Sequence, residues 1–318
     1  MIKFYSIESN QIIPIPELSF EKIVWCDALQ PLESELNEIS TKFNINLDDL
    51  KDCLDETERP RFNYDVLLHN NFLLIRTIQD YELFLNRPPT TSLGIFITKN
   101  GRIVTIRNSL SLNFDNIIET LNRRKIENNW SLILGILHIL ITQFDKMSQI
   151  IANHIKELQD QILKTQNVGA IQKPFQLNSY VIFFNTAALS NLNAIRAFYH
   201  KNKVVFDENA YLLENIDDII TDIEQVYSYS SIYRDLLTNT LDAYASVINN
   251  NLSMVMKVVG SISLILMIPT MIASYYGMNV FLPGGNIPGD TTSFFLILII
   301  SIAISFLIWI YFRKVNWL

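Results

Sequence analysis

Two long windows without a charged residue lie near the end of this 318-residue sequence and constrain its fold more than any other feature. No Asp, Glu, Lys or Arg occurs from Val258 to Tyr276 (VVGSISLILMIPTMIASYY) or from Ser293 to Phe312 (SFFLILIISIAISFLIWIYF). Each is close to the roughly 20 residues that an α-helix needs to cross the hydrocarbon core of a bilayer. A very apolar buried hairpin in a soluble protein is the other arrangement such windows allow. Matching the membrane length twice, across a loop rich in Gly and Pro, favours two transmembrane helices. Trp309, Tyr311 and Trp317, at the end of the second window, suit an interfacial aromatic belt.

The flanks predict an orientation. Lys257 precedes the first span and Arg313-Lys314 follow the second, while the connecting VFLPGGNIPGD has no Lys or Arg. Both termini are therefore expected on the cytoplasmic side of the cell membrane and the loop outside. The start, MIKFYSIESNQIIPIP, lacks the apolar core of a signal peptide, so the first 256 residues are expected to stay in the cytosol. The whole chain carries 25 Lys+Arg and 32 Asp+Glu, net −7; only Lys257, Arg313, Lys314 and Asp290 lie beyond residue 256, which leaves 22 basic against 31 acidic residues, −9, before it. Such a body is a poor partner for nucleic acid. Only 18% of the residues are charged, against about a quarter in soluble proteins, and the deficit is this partition. Two helices are too few to enclose a pore, so transport requires an oligomer embedded in lipid.

Enzymatic chemistry has little support. Cys26 and Cys53 are isolated and, in a cytosolic setting, read as buried reduced thiols. His69, His138, His154 and His200 have neither HExxH nor CxxC companions. GGNIPGDT, from Gly284 to Thr291, is the nearest approach to a phosphate loop, but it lacks the Lys and reads as a turn. With no nucleophile elbow or dinucleotide fingerprint, neither an enzyme nor an organic cofactor is expected.

The expected fold is an α+β cytosolic domain followed by a long stalk helix and two C-terminal transmembrane helices. Lys22–Leu29 and Asp65–Ile78 read as strands, and Pro31 opens an amphipathic helix with Leu32, Leu36, Ile39 and Phe43 on one face. Ser92–Arg107 reads as an antiparallel hairpin with a type I′ turn at Asn100-Gly101. Helices take over from about Phe114, a long one running from Ser131 to Lys164 until breakers near Gly169 and Pro174. Phe175–Val259 contains neither Gly nor Pro. A helix starting near Asp207 is expected to continue into the first span, about 100 Å for some 70 residues. The expected divisions are 1–127, a cytosolic α/β domain; 128–256, a cytosolic helical and stalk region; and 257–318, a transmembrane domain. Within the last, the spans fall at about 257–276 and 293–312, the outer loop at 277–292 and a cytosolic tail at 313–318.

A polar stripe runs along that helix. Stepping back from Gly277 by alternating threes and fours meets Ser274, Thr270, Met267, Ser263, Gly260, Met256, Ser253, Asn249, Ser246 and Asp242. A coiled-coil seam places Leu, Ile or Val at this spacing. Two readings fit. Small residues let membrane helices pack closely; alternatively the stripe lines a water-filled path around an oligomer axis, with Met267 and Met256 as apolar girdles that gate by dewetting and Asp242 as a carboxylate ring at the inner mouth.

The stripe ends at Tyr276-Gly277-Met278-Asn279, where Gly277 lets the chain leave the helix and Asn279 offers an uncharged amide oxygen; alone, this fits an ordinary helix C-cap. The motif closes the first span and is followed by a short loop and a second span ending at Arg313-Lys314-Val315-Asn316-Trp317-Leu318. That arrangement resembles the CorA family of divalent-cation channels. Met256-Lys257-Val258, Leu241-Asp242-Ala243-Tyr244, Trp25-Cys26-Asp27 and DETERPR (Asp55–Arg61) also look like that family. The resemblance implies a funnel-shaped homopentamer that conducts hydrated Mg2+, with the choice among Mg2+, Co2+ and Ni2+ left open, and with Gly277, Met278 and Asn279 as the outer selectivity ring. It also implies closure by cytosolic Mg2+ bound at acidic residues between protomers; Asp218, with Asp217 and Asp222, is the candidate, although a solvated helix face explains the same cluster. The sequence departs from the family in its outer loop, where Leu282-Pro283-Gly284-Gly285 replaces an acidic motif and Asp290 is the only carboxylate. Two other functions share the pattern: a zinc transporter of the same architecture, against which Met278 argues, and a membrane-tethered scaffold or sensor, which leaves the stripe unexplained.

Overall fold

The computed structural model describes residues 1–79, 89–108, 114–124, 126–164, 172–278 and 291–317, which fall into two compact units. The first comprises Met1–Thr165 and Gly169–Thr240, and the second contains Leu241–Leu318.

The first unit is built on a seven-stranded sheet in the order β2-β1-β3-β7-β6-β5-β4. Its strands are β1 (Ile2–Glu8), β2 (Gln11–Ile15), β3 (Trp25–Leu29), β4 (Arg61–Asp65), β5 (Asn70–Ile78), β6 (Thr90–Ile97) and β7 (Ile103–Arg107). Neighbours pair antiparallel except β3 and β7, which are parallel with Trp25 opposite Ile103. The hairpin expected over Ser92–Arg107 is the antiparallel pair β6–β7, and the parallel β3–β7 pair is an addition to it. A parallel pair needs a long crossover, and here everything from α1 to β6 intervenes.

Helices α1 (Glu33–Phe43) and α2 (Leu47–Asp52) cover one face. Leu36, Ile39, Phe43 and Leu50 pack there with Phe72, Leu74, Phe96 and Val104. Leu32 is 69% exposed, because it stands at the N-cap, where its backbone N–H donates to Glu35 Oε2 at 2.8 Å. After α3 (Phe114–Asn122), the helices α4 (Asn129–Lys164) and α5 (Gln172–Lys201) serve the other face. Asn191 of α5 accepts from the Arg76 backbone N–H and donates to its carbonyl, both at 2.8 Å, which docks α5 on β5. With both faces covered, β5, β6 and β7 are buried at every residue. Their alternation in sequence therefore does not separate a wet from a dry face.

Several boundaries differ from the sequence expectations. Glu17–Lys22 is a 3-10 helix, so β3 starts at Trp25. Asp65–Ile78 is the end of one strand and all of the next: Asp65 Oδ1 accepts from Leu67 and Leu68 N–H and closes the turn between β4 and β5. At the β6–β7 turn only Gly101 has positive φ, +77°. Gly101 N–H donates to Thr98 O at 2.8 Å and Thr98 N–H to Arg102 O at 2.9 Å, a longer loop with Gly101 at a bulge rather than a two-residue type I′ turn. Pro174 does not break a helix; it sits in the first turn of α5, where a missing N–H costs nothing.

Two polar clusters lie under the motifs that carried the resemblance. Buried Asp27 accepts from Thr105 Oγ1 at 2.8 Å and, bidentately, from Arg107, whose Nη2 is 2.8 Å away. Trp25 Nε1 donates to Thr105 Oγ1 at 3.0 Å. In the Asp55–Arg61 stretch, Arg61 pairs with Asp52 and Glu58, while buried Arg76 donates to the carbonyls of Glu56 and Glu58. Both sets of residues hold the body together.

A short helix, α6 (Lys203–Asp207), leads to α7 (Ala210–Tyr276), 67 residues without interruption. Asn209 caps its start, accepting from Tyr211 and Leu212 N–H. The last helix is α8 (Thr291–Lys314). Both α7 and α8 contain windows long and apolar enough to cross a membrane.

Candidate ion pathway

Within the second unit, α8 covers one side of α7. Ser261 is buried, and Val258, Ile265, Ile268 and Ile272 on the same side are half-buried; on α8 the corresponding residues are Ser301 and Phe312, with Ile297, Ser305 and Ile308 half-buried. The contact has a specific anchor. Pro269 lies inside α7 and has no N–H to offer the carbonyl four residues back. That carbonyl, Ile265 O, accepts instead from Ser305 Oγ of α8 at 3.3 Å. A hydroxyl from a neighbouring helix is how a proline is accommodated where no water is present.

The polar stripe lies on another side. At 100° per residue, Gly260, Ser263, Met267, Thr270 and Ser274 point about 160° away from the Ser261–Ile272 face, and all five are exposed. An added Cβ at Gly260 would meet nothing within 4 Å. Met256 and Met267, the expected girdles, are 64% and 58% exposed. Ser253 and Asp242 are exposed on the same line.

Three hydroxyls of the stripe spend their protons on their own helix. Ser263 Oγ donates to Val259 O at 2.8 Å, Thr270 Oγ1 to Leu266 O at 2.9 Å and Ser246 Oγ to Asp242 O at 3.0 Å. Each oxygen keeps its lone pairs as an acceptor facing away from the helix. An outward row of acceptors suits a ligand made of donors, and the coordinated waters of a hydrated cation are such a ligand.

At the C-terminal end of α7, Gly277 N–H donates to Ala273 O at 2.9 Å and Met278 N–H to Tyr275 O at 3.3 Å, so the helix tightens as it ends. Gly277 does not take the left-handed conformation of a glycine C-cap. Both residues are exposed. Asn279, the rest of the 277–292 loop up to Asp290, and the GGNIPG turn lie outside the described residues.

The proposed regulatory carboxylates are on the part of α7 in the first unit. Asp217, Asp218 and Asp222 are all exposed. Asp218 and Asp222 are one turn apart and share a flank, whereas Asp217 points about 100° from Asp218. Burial and Arg124 push His138 of α4 below its ordinary value, while Asp222 and Asp218 act in the opposite sense. Among the described residues, no three His, Cys, Asp or Glu side chains gather as a metal site.

Sequence reasoning found the stripe but missed the Pro269–Ser305 pairing. Pro269 itself was the available signal, since a proline in a membrane helix demands a donor nearby. Which serine supplies it depends on the register of α8 against α7, which no periodicity reveals.

A family model described as "CorA-like Mg2+ transporter protein" matches residues 20–314. The cobalt/magnesium transport protein CorA of Methanocaldococcus jannaschii is 28% identical over 312 residues, covering 96% of this chain and 95% of that protein. The complete structure of the CorA magnesium transporter from the same organism aligns with a TM-score of 0.79 at 23% identity, covering 100% of this chain and 99% of that one. The ZntB cytoplasmic domain from Vibrio parahaemolyticus aligns with a TM-score of 0.59 at 14% identity, covering 79% of this chain and 97% of that one. At these identities the two structures show a shared fold and do not distinguish cargo. The family match takes in the sheet from β3 onward, the long α7 and both apolar helices, and the chain belongs to the CorA-like Mg2+ transporter protein family.

Proposed function

We propose that this chain is one subunit of a homopentameric channel that passes hydrated Mg2+ passively into the cell across the cytoplasmic membrane, with both termini cytoplasmic. The observation that carries this reading is the exposed polar stripe of α7, about 160° from the side packed on α8. A face of Gly, Ser and Thr turned away from its own hairpin needs a partner, and identical faces around an axis supply one. The family relationship and the Mg2+ and Co2+ named for the M. jannaschii relative support the choice of ion.

The chemistry is consistent throughout the path. Mg2+ sheds its water reluctantly, so a ring of Asn279 amides, with Gly277 and Met278, holds the hydrated ion through its waters and without a full negative charge to trap it. Inside the ring the acceptors of Thr270 and Ser263 follow, then Gly260 and Ser253, with Met267 and Met256 as apolar constrictions and Asp242 at the inner mouth. Entry at each position is favourable and exit remains easy. The driving force is the membrane potential: two charges moving through 100 mV gain about 4.6 kcal/mol, twice the roughly 2.3 kcal/mol of a single charge. No organic cofactor has a part in this.

Regulation is assigned to Asp218 and Asp222, with Asp217 on the adjoining side. Cytosolic Mg2+ bound between these carboxylates and a neighbouring subunit offsets their repulsion and favours the closed state, and its loss releases the subunits.

Liposomes loaded with a Mg2+-sensitive dye test the proposal. Influx is expected with the native chain and lost with Asn279→Ala; equal influx removes the ring, and none with either removes the channel. Zn2+ flux tied to a proton gradient would assign the chain to zinc transport instead. Asp218→Ala should weaken inhibition by internal Mg2+, and unchanged inhibition would remove that residue from the account.

A further inference from the structure

The ends of α7 and α8 on the proposed cytoplasmic side bring three cations to one level. The bond from Ser305 to Ile265 sets the register of the two antiparallel helices. Both rise by about 1.5 Å per residue and turn by about 100°, so equal steps from that bond place Lys257 of α7 level with Arg313 of α8, with Lys314 one residue on and about 100° further around that helix. All three are exposed. Neither helix balances them. No acidic residue occurs between Asp242 and Asp290 or after Asp290, and Asp242 is about 22 Å from Lys257 along α7.

The end of α8 is built to hold these groups. Trp317 N–H donates to Phe312 O at 3.0 Å and Asn316 N–H to Arg313 O at 3.3 Å, with Asn316 in the left-handed conformation at φ +57°. This is the double bond pattern of a Schellman cap. Its usual apolar contact is present too, for the Trp317 ring stacks on Phe312 at 5.5 Å and 8°. The tail thus turns back on the helix. Arg313 lies over the Trp309 ring, 5.3 Å from its centroid, which steadies the guanidinium beside an exposed aromatic. Toward the membrane, Phe306, Leu307 and Ile310 are exposed and apolar.

We propose that Lys257, Arg313 and Lys314, spread around the two helices at one level, bind the headgroup phosphates of anionic phospholipids of the cytoplasmic leaflet, such as phosphatidylglycerol, whose acyl chains lie along the apolar surface of α8. Charge complementarity identifies the occupant: three cations with no acidic side chain near them on α7 or α8 face a leaflet that carries negative headgroups. The Arg313 fork suits a phosphate, and the apolar surface beside it distinguishes a lipid from a free phosphate. The inference rests on α7 and α8 spanning the membrane in the proposed orientation.

Native mass spectrometry of the full-length protein, delipidated in detergent and titrated with phosphatidylglycerol or phosphatidylcholine, tests it. Phosphatidylglycerol should bind in preference. Lys257→Gln, Arg313→Gln and Lys314→Gln should each weaken it about fivefold and the triple variant on the order of 100-fold, with phosphatidylcholine binding unchanged. Arg313→Lys should keep most of the preference. Equal binding of the two lipids, or native preference in the single variants, overturns the site; the same spectra report assembly, so the single variants decide if the triple does not assemble. Inorganic phosphate competing as well as the lipid would overturn the assignment to a lipid. Flotation with phosphatidylcholine vesicles separates the two failures: a chain that inserts without preference loses only this site, and one that does not insert loses the membrane reading as well.

Discussion

Gly260→Leu is expected to stabilise the single chain while abolishing transport. Glycine inside a helix costs about 0.8–1.0 kcal/mol relative to alanine, and leucine is nearly as good a helix former as alanine. Within one chain nothing opposes the gain, because an added Cβ at Gly260 meets no atom within 4 Å and the position is exposed. About 0.8 kcal/mol is therefore the expected stabilisation of α7. Around the proposed axis, the same change aims an isobutyl group from every subunit at the path, one turn from Ser263 and next to the Met256 level, and widens an apolar constriction into a plug. Dye-loaded liposomes give the flux and light scattering gives the oligomeric state. An intact oligomer whose flux falls to the leak of empty vesicles is the expected result. Dissociation into smaller species would instead assign the stripe to close helix packing. Flux at the native level from an intact oligomer would refute the pore-lining assignment.

Three further outcomes follow from particular contacts. Ser305→Ala leaves Ile265 O without its donor and should lower the stability of the hairpin by about 1 kcal/mol; in a Pro269→Ala background, which restores a backbone N–H, the loss should largely vanish, and equal losses in both backgrounds contradict the pairing. Asp27→Asn leaves the buried Arg107 guanidinium facing an uncharged amide and should cost about 3–5 kcal/mol, read as the urea midpoint followed by Trp fluorescence; a shift below about 0.5 kcal/mol would show that the pair is not buried as described. His138 is held below the ordinary imidazole value of 6.5, chiefly by burial, so the unfolded chain binds its proton more readily. Its contribution is complete above 6.5 and is lost as pH falls through the lowered folded value. His138→Gln should flatten the decline in melting temperature on acidification below about pH 6.5, and an unchanged decline would contradict this.

Features set by spacing along the chain were legible in the sequence. The apolar windows appear as the spans of α7 and α8, Leu36, Ile39 and Phe43 mark the buried face of α1, and the Gly- and Pro-free stretch holds most of α5, all of α6 and the part of α7 before Gly260. Long-range partners were not legible. That Trp25 and Ile103 pair in parallel depends on the crossover between them, and nothing local in either strand records it. The β6–β7 turn was read as two residues because Asn-Gly favours that turn, but Arg102 returns its carbonyl to Thr98 and lengthens the loop. For the stripe, residue types gave the line and the structure gave its direction relative to α8. The same limit applies to the carboxylates: Asp217, Asp218 and Asp222 lie within six residues, yet helical geometry separates Asp217 from the other two.

The measurement that bears most directly on the proposed function is Mg2+ uptake into sealed liposomes whose potential is set by a K+ gradient and an ionophore, with no ATP and no pH gradient. A passive channel predicts uptake that starts when the interior is made negative, grows with the potential and stops when the potential is collapsed. Absence of uptake under an inward potential at low internal Mg2+, or uptake that appears only with a proton gradient, would contradict it.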